Sequence, residues 1–492
     1  MLGVLLLPGY RDDLNPDGVS YLAIAHHYAD GYWSEAVNGF WGPLYSWLLA
    51  PLVGAGLDGP LAAKVLGLAV GAVALVATWA LAGRYTGRVW LRALAVAVLV
   101  PVVLGWALIL VTPDLLLATV LLGYFLVLTA PGAERWPRHA VLAGLLGGLG
   151  YLTKAYGLVF FLGHFTLVAA GRWYRAGPAT VARRRAVRAL VGGLAGFGTL
   201  SLPWIAAISV RSGRLTYGGA GAYNWDLAGP SRPDHPTHRP GLLPPTGPHA
   251  TSAWEDPGRL PPMPAWSAAD QPGHLARLVT GNLVHTAQIA VGYTPLILVI
   301  VALALLLLRW GRRRPDTRRL LGLTLGTAAM YPVGYLVLRV EDRFLWPLLV
   351  LVLLTGVYLL DAYRHRLARA GTAAAAVLLA LSFLVPAVHV LRDGYRAGDR
   401  TADLAALIRR RVPDAVGRPV ASNTEYQTSL FISYRLDARY YGLAPAAGVA
   451  ASGDGIRYLF FWGGGAPPGY LATATVALDL PERHLRLYLL PR

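Results

Sequence analysis

Cysteine is absent from all 492 residues, which excludes a disulfide framework, a thiolate nucleophile and a Cys-ligated metal. Charge is scarce as well. Only 14% of the chain is Asp, Glu, Lys or Arg, where a soluble globular protein carries about a quarter. Lysine is nearly missing, with Lys64 and Lys154 its only positions, so the net charge of +18 is carried by arginine. What fills the chain instead is apolar: 55% hydrophobic residues and a mean hydropathy of +0.47. Apolar runs of bilayer length recur from about Pro60 to Leu391, which reads as a polytopic membrane protein. The arginines fall in short clusters between those runs, so the positive charge reflects topology and not a nucleic-acid footprint.

Spans are expected near 60–82, 92–110, 113–130, 138–155, 157–171, 187–209, 288–309, 318–338, 343–361 and 371–391. Met1–Pro8 is apolar but too short to span and lacks the basic start of a signal peptide, so it reads as the end of a first transmembrane helix. The basic clusters Arg84/Arg88/Arg92, Arg135/Arg138, 172–188, 309–319 and 364–369 then share one side, the cytoplasmic one. Segments 15–59, 112–114, 154–157, 210–287 and 339–343, with the C-terminal tail, collect on the other.

The segment Asn15–Pro51 is rich in carboxylates, aromatics and histidines and too polar to cross a bilayer. Val19–Tyr32 reads as an amphipathic surface helix, with Tyr21, Leu22, Ile24 and Ala25 on one side and His26, His27 and Asp30 on the other. Gly42-Pro43 breaks the chain, and Leu44–Val53 reads as a second interfacial helix with Trp47 at headgroup level. The loop 210–287 gathers Tyr223-Asn224-Trp225, Trp254-Glu255-Asp256 and Pro264-Ala265-Trp266, aromatic and polar groups that suit either sugar stacking or interfacial anchoring. Residues 274–287 are expected to form a further surface helix. After Leu391 the pattern becomes that of a small α/β domain: helices at 401–411 and 424–434, strands at 419–422, 438–441, 456–462, 473–478 and 485–490. No nucleotide-binding glycine motif is present in it.

Ionisable groups at a membrane edge are costly, which makes them functional candidates. Asp17, Lys64, Asp114, Lys154 and the Glu341-Asp342-Arg343 turn all approach the same membrane surface. Three of them have a plain structural role to set beside the functional one: Asp17 capping a helix, Lys154 snorkelling, Arg343 neutralising Glu341 or Asp342. His26 and His27, adjacent on a helix, point apart and do not readily share an ion.

The pattern Asp17-x-x-x-Tyr21, then Gly42-Pro43-Leu44-Tyr45 before a long span, resembles the first extracytoplasmic loop of family 39 of the GT-C glycosyltransferases. That family includes protein O-mannosyltransferases and lipid A aminoarabinose transferases. Pro113-Asp114, Gly150-Tyr151-Leu152-Thr153-Lys154 and Arg343-Phe344-Leu345-x-Pro347 are similar to family features in the same order, over residues 10–360. Two departures stand out: Gly18 replaces the acidic partner found in protein O-mannosyltransferases, and the first span is nearly absent. The resemblance implies an all-α polytopic GT-C fold of about 10–11 transmembrane helices, with extracytoplasmic surface helices and a small C-terminal α/β domain. Residues 1–391 would be the transferase domain, with extracytoplasmic loops 9–59 and 210–287, and 392–492 an extracytoplasmic domain. It implies a plasma-membrane enzyme that moves a sugar, with inversion, from a polyprenyl-phosphate donor to an extracytoplasmic acceptor, without nucleic acid. Asp17 is then the base, Asp114 a second catalytic carboxylate, and Lys154, Arg343 and Lys64 the groups for the donor phosphate. Tyr21, Tyr45, Trp225, Trp254 and Glu255 are expected to bind substrate. No metal site is expected, although a divalent ion between Asp17 and Asp114 is kept open. A flippase or transporter of lipid-linked saccharides, or an envelope scaffold, is the alternative.

Overall fold

The computed structural model describes residues 1–491 except 133–136, 179, 232–234, 311–314, 447 and 450–454. Arg135 and Arg312–Arg314 of the basic clusters therefore lie outside the described residues. The chain opens with α1 (Leu2–Leu6), α2 (Pro16–Ala29), α3 (Trp33–Ala36) and α4 (Pro43–Gly54). Pro16 and Pro43 start their helices in the first turn, where a missing N–H costs nothing. A helical bundle follows: α5 (Gly59–Tyr85), α6 (Val89–Leu108), α7 (Asp114–Leu128), α8 (Pro137–Thr153), α9 (Tyr156–Arg175) and α10 (Thr180–Ser212). The long loop holds α11 (Ala220–Leu227). The bundle then resumes with α12 (Pro272–Tyr293), α13 (Ile297–Trp310), α14 (Pro315–Met330), α15 (Val333–Leu336), α16 (Trp346–Tyr363) and α17 (Arg369–Gly394).

Among the described residues five stretches are long and apolar enough to cross a membrane, those of α5, α6, α10, α16 and α17, and six if α12 and α13 count as one bent span. α16 is apolar all round and buried along most of its length, which makes it the central helix, whereas α17 turns most of its surface outward. α8 and α10 meet backbone to backbone: a Cβ on Gly144 would lie 1.9 Å from the Gly193 carbonyl oxygen.

Three expectations need correction. The span at 288–309 is instead broken at Thr294–Leu296, where α12 and α13 meet at 102°, because Pro295 supplies no N–H to continue the helix. The span at 318–338 stops at Met330, before Pro332, and resumes only as the single turn α15. The helix expected at Val19–Tyr32 starts at Pro16, and its two faces are not divided between lipid and water: Gly18 through Ala25, His27 and Tyr28 are all buried. One side packs on α4, and Val19 joins the core of the C-terminal lobe.

That lobe comprises α18 (Asp399–Arg411), α19 (Tyr426–Arg435) and strands β1 (Pro419–Ser422), β2 (Arg439–Leu443), β3 (Tyr458–Trp462), β4 (Thr475–Leu480) and β5 (Leu485–Leu489), close to the segments expected from the sequence. The sheet order is β2-β1-β3-β5-β4, parallel among β2, β1 and β3 and antiparallel from β3 through β5 to β4. The long loop covers the β2 edge: Gly241 and Leu243 donate to Leu443 and Tyr441, and Tyr440 donates to the Thr251 carbonyl at 2.7 Å. Loop, lobe and α2 thereby form one cap over one end of the bundle.

Candidate functional site

Asp17 lies in the first turn of α2, one residue inside Pro16, and makes no side-chain capping bond. Its carboxylate turns instead to a residue 326 positions away: Arg343 Nη2 donates to Asp17 Oδ2 at 2.7 Å. The indole Nε1 of Trp254 donates to the other oxygen, Oδ1, at 3.1 Å. Gly18 is what lets α2 come this close to the bundle, since a Cβ there would lie 2.7 Å from Val111 Cβ. An acidic side chain at position 18 has no room.

Arg343 occupies the turn before α16 and faces three carboxylates. Besides Asp17 it reaches Glu341 Oε2 at 2.8 Å, and its Nε lies 3.8 Å from Asp114 Oδ2. Asp114, the first residue of α7, is buried and takes a 2.7 Å bond from Lys154 Nζ. Lys154 sits at the α8–α9 junction, with its ammonium 3.7 Å over the ring of Phe344. Gly157 permits that tight junction, because a Cβ there would collide with the Gly150 carbonyl carbon at 2.3 Å. Asp17, Asp114, Glu341, Arg343 and Lys154 thus form a continuous ionic network of three anions and two cations.

Burial works to raise the pKa of Asp17, but the Arg343 guanidinium and the Trp254 indole outweigh it and hold the carboxyl below its ordinary value. The group is therefore an ionised carboxylate at neutral pH. Two carboxylates could share a cation, but the guanidinium of Arg343 already lies between Asp17 and Asp114, and among the described residues no set of three or more His, Asp or Glu is grouped to hold a metal ion.

Trp254 is fixed at its backbone: its carbonyl accepts from Ser20 Oγ at 3.0 Å and from Trp41 Nε1 at 3.2 Å. Glu255 is buried behind it in a capping box, where Oε1 accepts from the Thr251 and Ser252 N–H groups. Burial pushes its carboxyl up to about 8, against the lowering effect of those backbone bonds. Its Oε2 lies 3.8 Å from His27 Nε2 and, among the described residues, has no hydrogen-bond partner. Glu255 therefore supports Trp254 from behind and does not face the network.

The other residues singled out from the sequence divide. Tyr21 and Tyr45 are buried edge to face at 5.4 Å, beside Trp41. Trp225 is stacked on Trp266 at 4.2 Å, each indole donating to the other's carbonyl, so this pair is closed on itself. Lys64 does not join the network. It is fully buried in α5 and bonded to the Ile109 carbonyl at 3.4 Å, near the buried Asp13, whose carboxyl burial raises to about 6. Tyr223 of the aromatic loop stands 5.8 Å from the Trp254 ring, and residues not singled out complete the wall: the His235 ring at 4.6 Å from Trp254, and then His238 against Tyr426 of α19. Nothing local marks Tyr426, which comes from the lobe; only the fold brings it here.

No family model matches the chain, and no curated protein matches it in sequence. Solved structures do match in fold. The crystal structure of ArnT from Cupriavidus metallidurans bound to undecaprenyl phosphate superposes with a TM-score of 0.59 at 15% identity, over 99% of this chain and 96% of that one. The archaeal oligosaccharyltransferase AglB from Archaeoglobus fulgidus, in complex with an inhibitory peptide and a dolichol-phosphate, gives 0.54 at 11% identity, over 90% of this chain and 65% of that one. The chain has the GT-C fold of polytopic membrane glycosyltransferases, with several apolar helices and a small C-terminal α/β lobe.

Proposed function

We propose that this protein is a membrane glycosyltransferase that moves a sugar from a polyprenyl-phosphate donor to an extracytoplasmic acceptor at a plasma membrane, with inversion at the anomeric carbon. The observation that carries the reading is the Asp17–Arg343–Asp114–Lys154 network, set at the mouth of the helical bundle under the Trp254 wall. The two similar structures hold a lipid phosphate each, undecaprenyl phosphate in ArnT and dolichol-phosphate in AglB, which supports a lipid-phosphate donor.

In this reaction an acceptor hydroxyl attacks the anomeric carbon as the carbon–oxygen bond to phosphate breaks. The proton passes to Asp17 and the electron pair leaves with polyprenyl phosphate. A base in hydrogen-bond reach contributes about 10²–10⁴ in rate. Arg343 and Lys154 stabilise the departing phosphate by charge-assisted bonds. Both cations are bound to carboxylates, Lys154 to Asp114 and Arg343 to Asp17. An arriving phosphate competes for them and releases Asp17 to meet the acceptor. Asp114 holds Lys154 in place, and Tyr223, Trp254 and His235 offer faces for an acceptor ring.

The test is turnover of a panel of polyprenyl-phosphate sugars by the detergent-purified protein, read as release of polyprenyl phosphate with and without a chelator. Asp17→Asn is expected to lower turnover by at least about 10² while elution and melting temperature stay unchanged. Undiminished transfer would remove Asp17 as the base, and no transfer from any donor would favour a flippase.

A further inference from the structure

At the opposite end of the bundle, one helix length or about 27 Å from Arg343 along the 18 residues of α16, lies a polar concavity. Its volume is about 570 Å³, and it is lined by Gly87, Arg88, Tyr358, Asp361, Arg364 and His365. Arginines at the ends of spans are expected for topology alone, and that role needs no particular geometry. Here there is geometry. Asp361 accepts from Thr86 Oγ1 at 2.7 Å, from Arg88 Nε at 3.1 Å and from Arg364 Nε at 3.0 Å. Arg88 and Arg364 come from distant parts of the chain, and one carboxylate aims both into the same space.

Each guanidinium spends its Nε on Asp361. Among the described residues the terminal nitrogens of Arg88 have no partner, and Arg364 Nη2 makes only a 3.4 Å contact with His365 Nε2. Two cations against one anion leave one uncompensated positive charge, which the single negative charge of a phosphodiester balances. The concavity sits where α5 ends and α6 begins, on helices that also carry the outward-facing Trp79 and Trp90, and tryptophan of this kind marks the membrane interface, which argues for headgroup depth. Basic pockets between spans at this depth suit lipid phosphate groups.

We propose that this concavity binds the phosphate of an anionic phospholipid in the leaflet opposite the Asp17 site, with Arg88 and Arg364 as its ligands and Asp361 as the group that positions them. The proposal is independent of the transferase reading. It is tested by native mass spectrometry of the full chain in detergent, with phosphatidylglycerol and phosphatidylcholine of matched acyl chains. Wild-type protein is expected to retain phosphatidylglycerol at least about tenfold better, and an Arg88→Gln/Arg364→Gln variant to lose that preference. Equal retention of the two lipids by wild type overturns the proposal without need of any variant. So does an unchanged preference in the double variant. Inorganic phosphate at millimolar concentration should leave the bound lipid in place; if it displaces the lipid in full, the site takes free phosphate and the lipid assignment fails. An Arg366→Gln variant, altered at a residue that does not line the concavity, should behave as wild type.

Discussion

At the residue scale, one guanidinium organises the candidate site. Arg343 answers Asp17, Glu341 and Asp114 together, so the structural role of neutralising its own turn and the role of reaching Asp17 are both filled by the same side chain. The buried carboxyl of Glu255 behaves in the opposite way to Asp17, because it has two backbone donors but no cation beside it. Its folded-state pKa of about 8 stands above the ordinary 4.5, so between those values the folded chain holds a proton that the unfolded chain has released. Stability then falls as pH rises through that window and levels off above about 8. Buried His27 acts with the opposite sign, but its pKa is lowered from 6.5, so above 6.5 it is largely neutral in both states. The melting temperature in detergent is expected to drop from pH 6.5 to 8, and Glu255→Gln should flatten that drop. An equal slope in the variant would assign the proton elsewhere.

At the element scale, close backbone approaches decide where the charged residues end up. Gly42, in the break before α4, is pressed on the end of α8: a Cβ there would lie 2.3 Å from the Thr153 carbonyl oxygen, next to Lys154. The obstacle is backbone and cannot swing aside. Gly42→Ala is expected to cost about 1–3 kcal/mol, seen as a lower melting temperature, and to weaken turnover by displacing Lys154. Unchanged stability would mean that the α4–α8 contact is looser than its geometry implies. The two short helices were legible as 19–32 and 44–53, from the amphipathic pattern and the Gly42-Pro43 break, against the observed 16–29 and 43–54, and the C-terminal strands were legible as short segments rich in β-formers. The 102° break after Tyr293 and the stop at Met330 were not, because hydropathy averaged over a window does not register one proline.

At the scale of the whole molecule, α2 joins the lobe to the bundle, with Tyr21, Leu22 and Ile24 in the core of the bundle and Val19 in that of the lobe. Val19 of α2 is fully buried among Leu404, Ile408 and Leu430, and Arg435 of α19 bonds Asp12 at 2.7 Å. Val19→Ala removes two carbons from this seam and is expected to cost about 2 kcal/mol. Hydrogen exchange should then accelerate in α18 and α19 before it does in α5 or α16; simultaneous loosening throughout would show a single cooperative unit. The sequence by itself determined the membrane class, the grouping of Asp17, Asp114, Lys154 and Arg343 at one surface, and the elements of the lobe, because apolar runs, the basic clusters between them and short segments rich in β-formers are properties that each segment carries alone. Only the tertiary structure decided that Arg343 grips Asp17, that Lys64 is taken up near Asp13, that Trp225 pairs with Trp266, and that the lobe lies over α2. A salt bridge across 326 residues depends on which helices pack side by side, and no local pattern of residues encodes that choice.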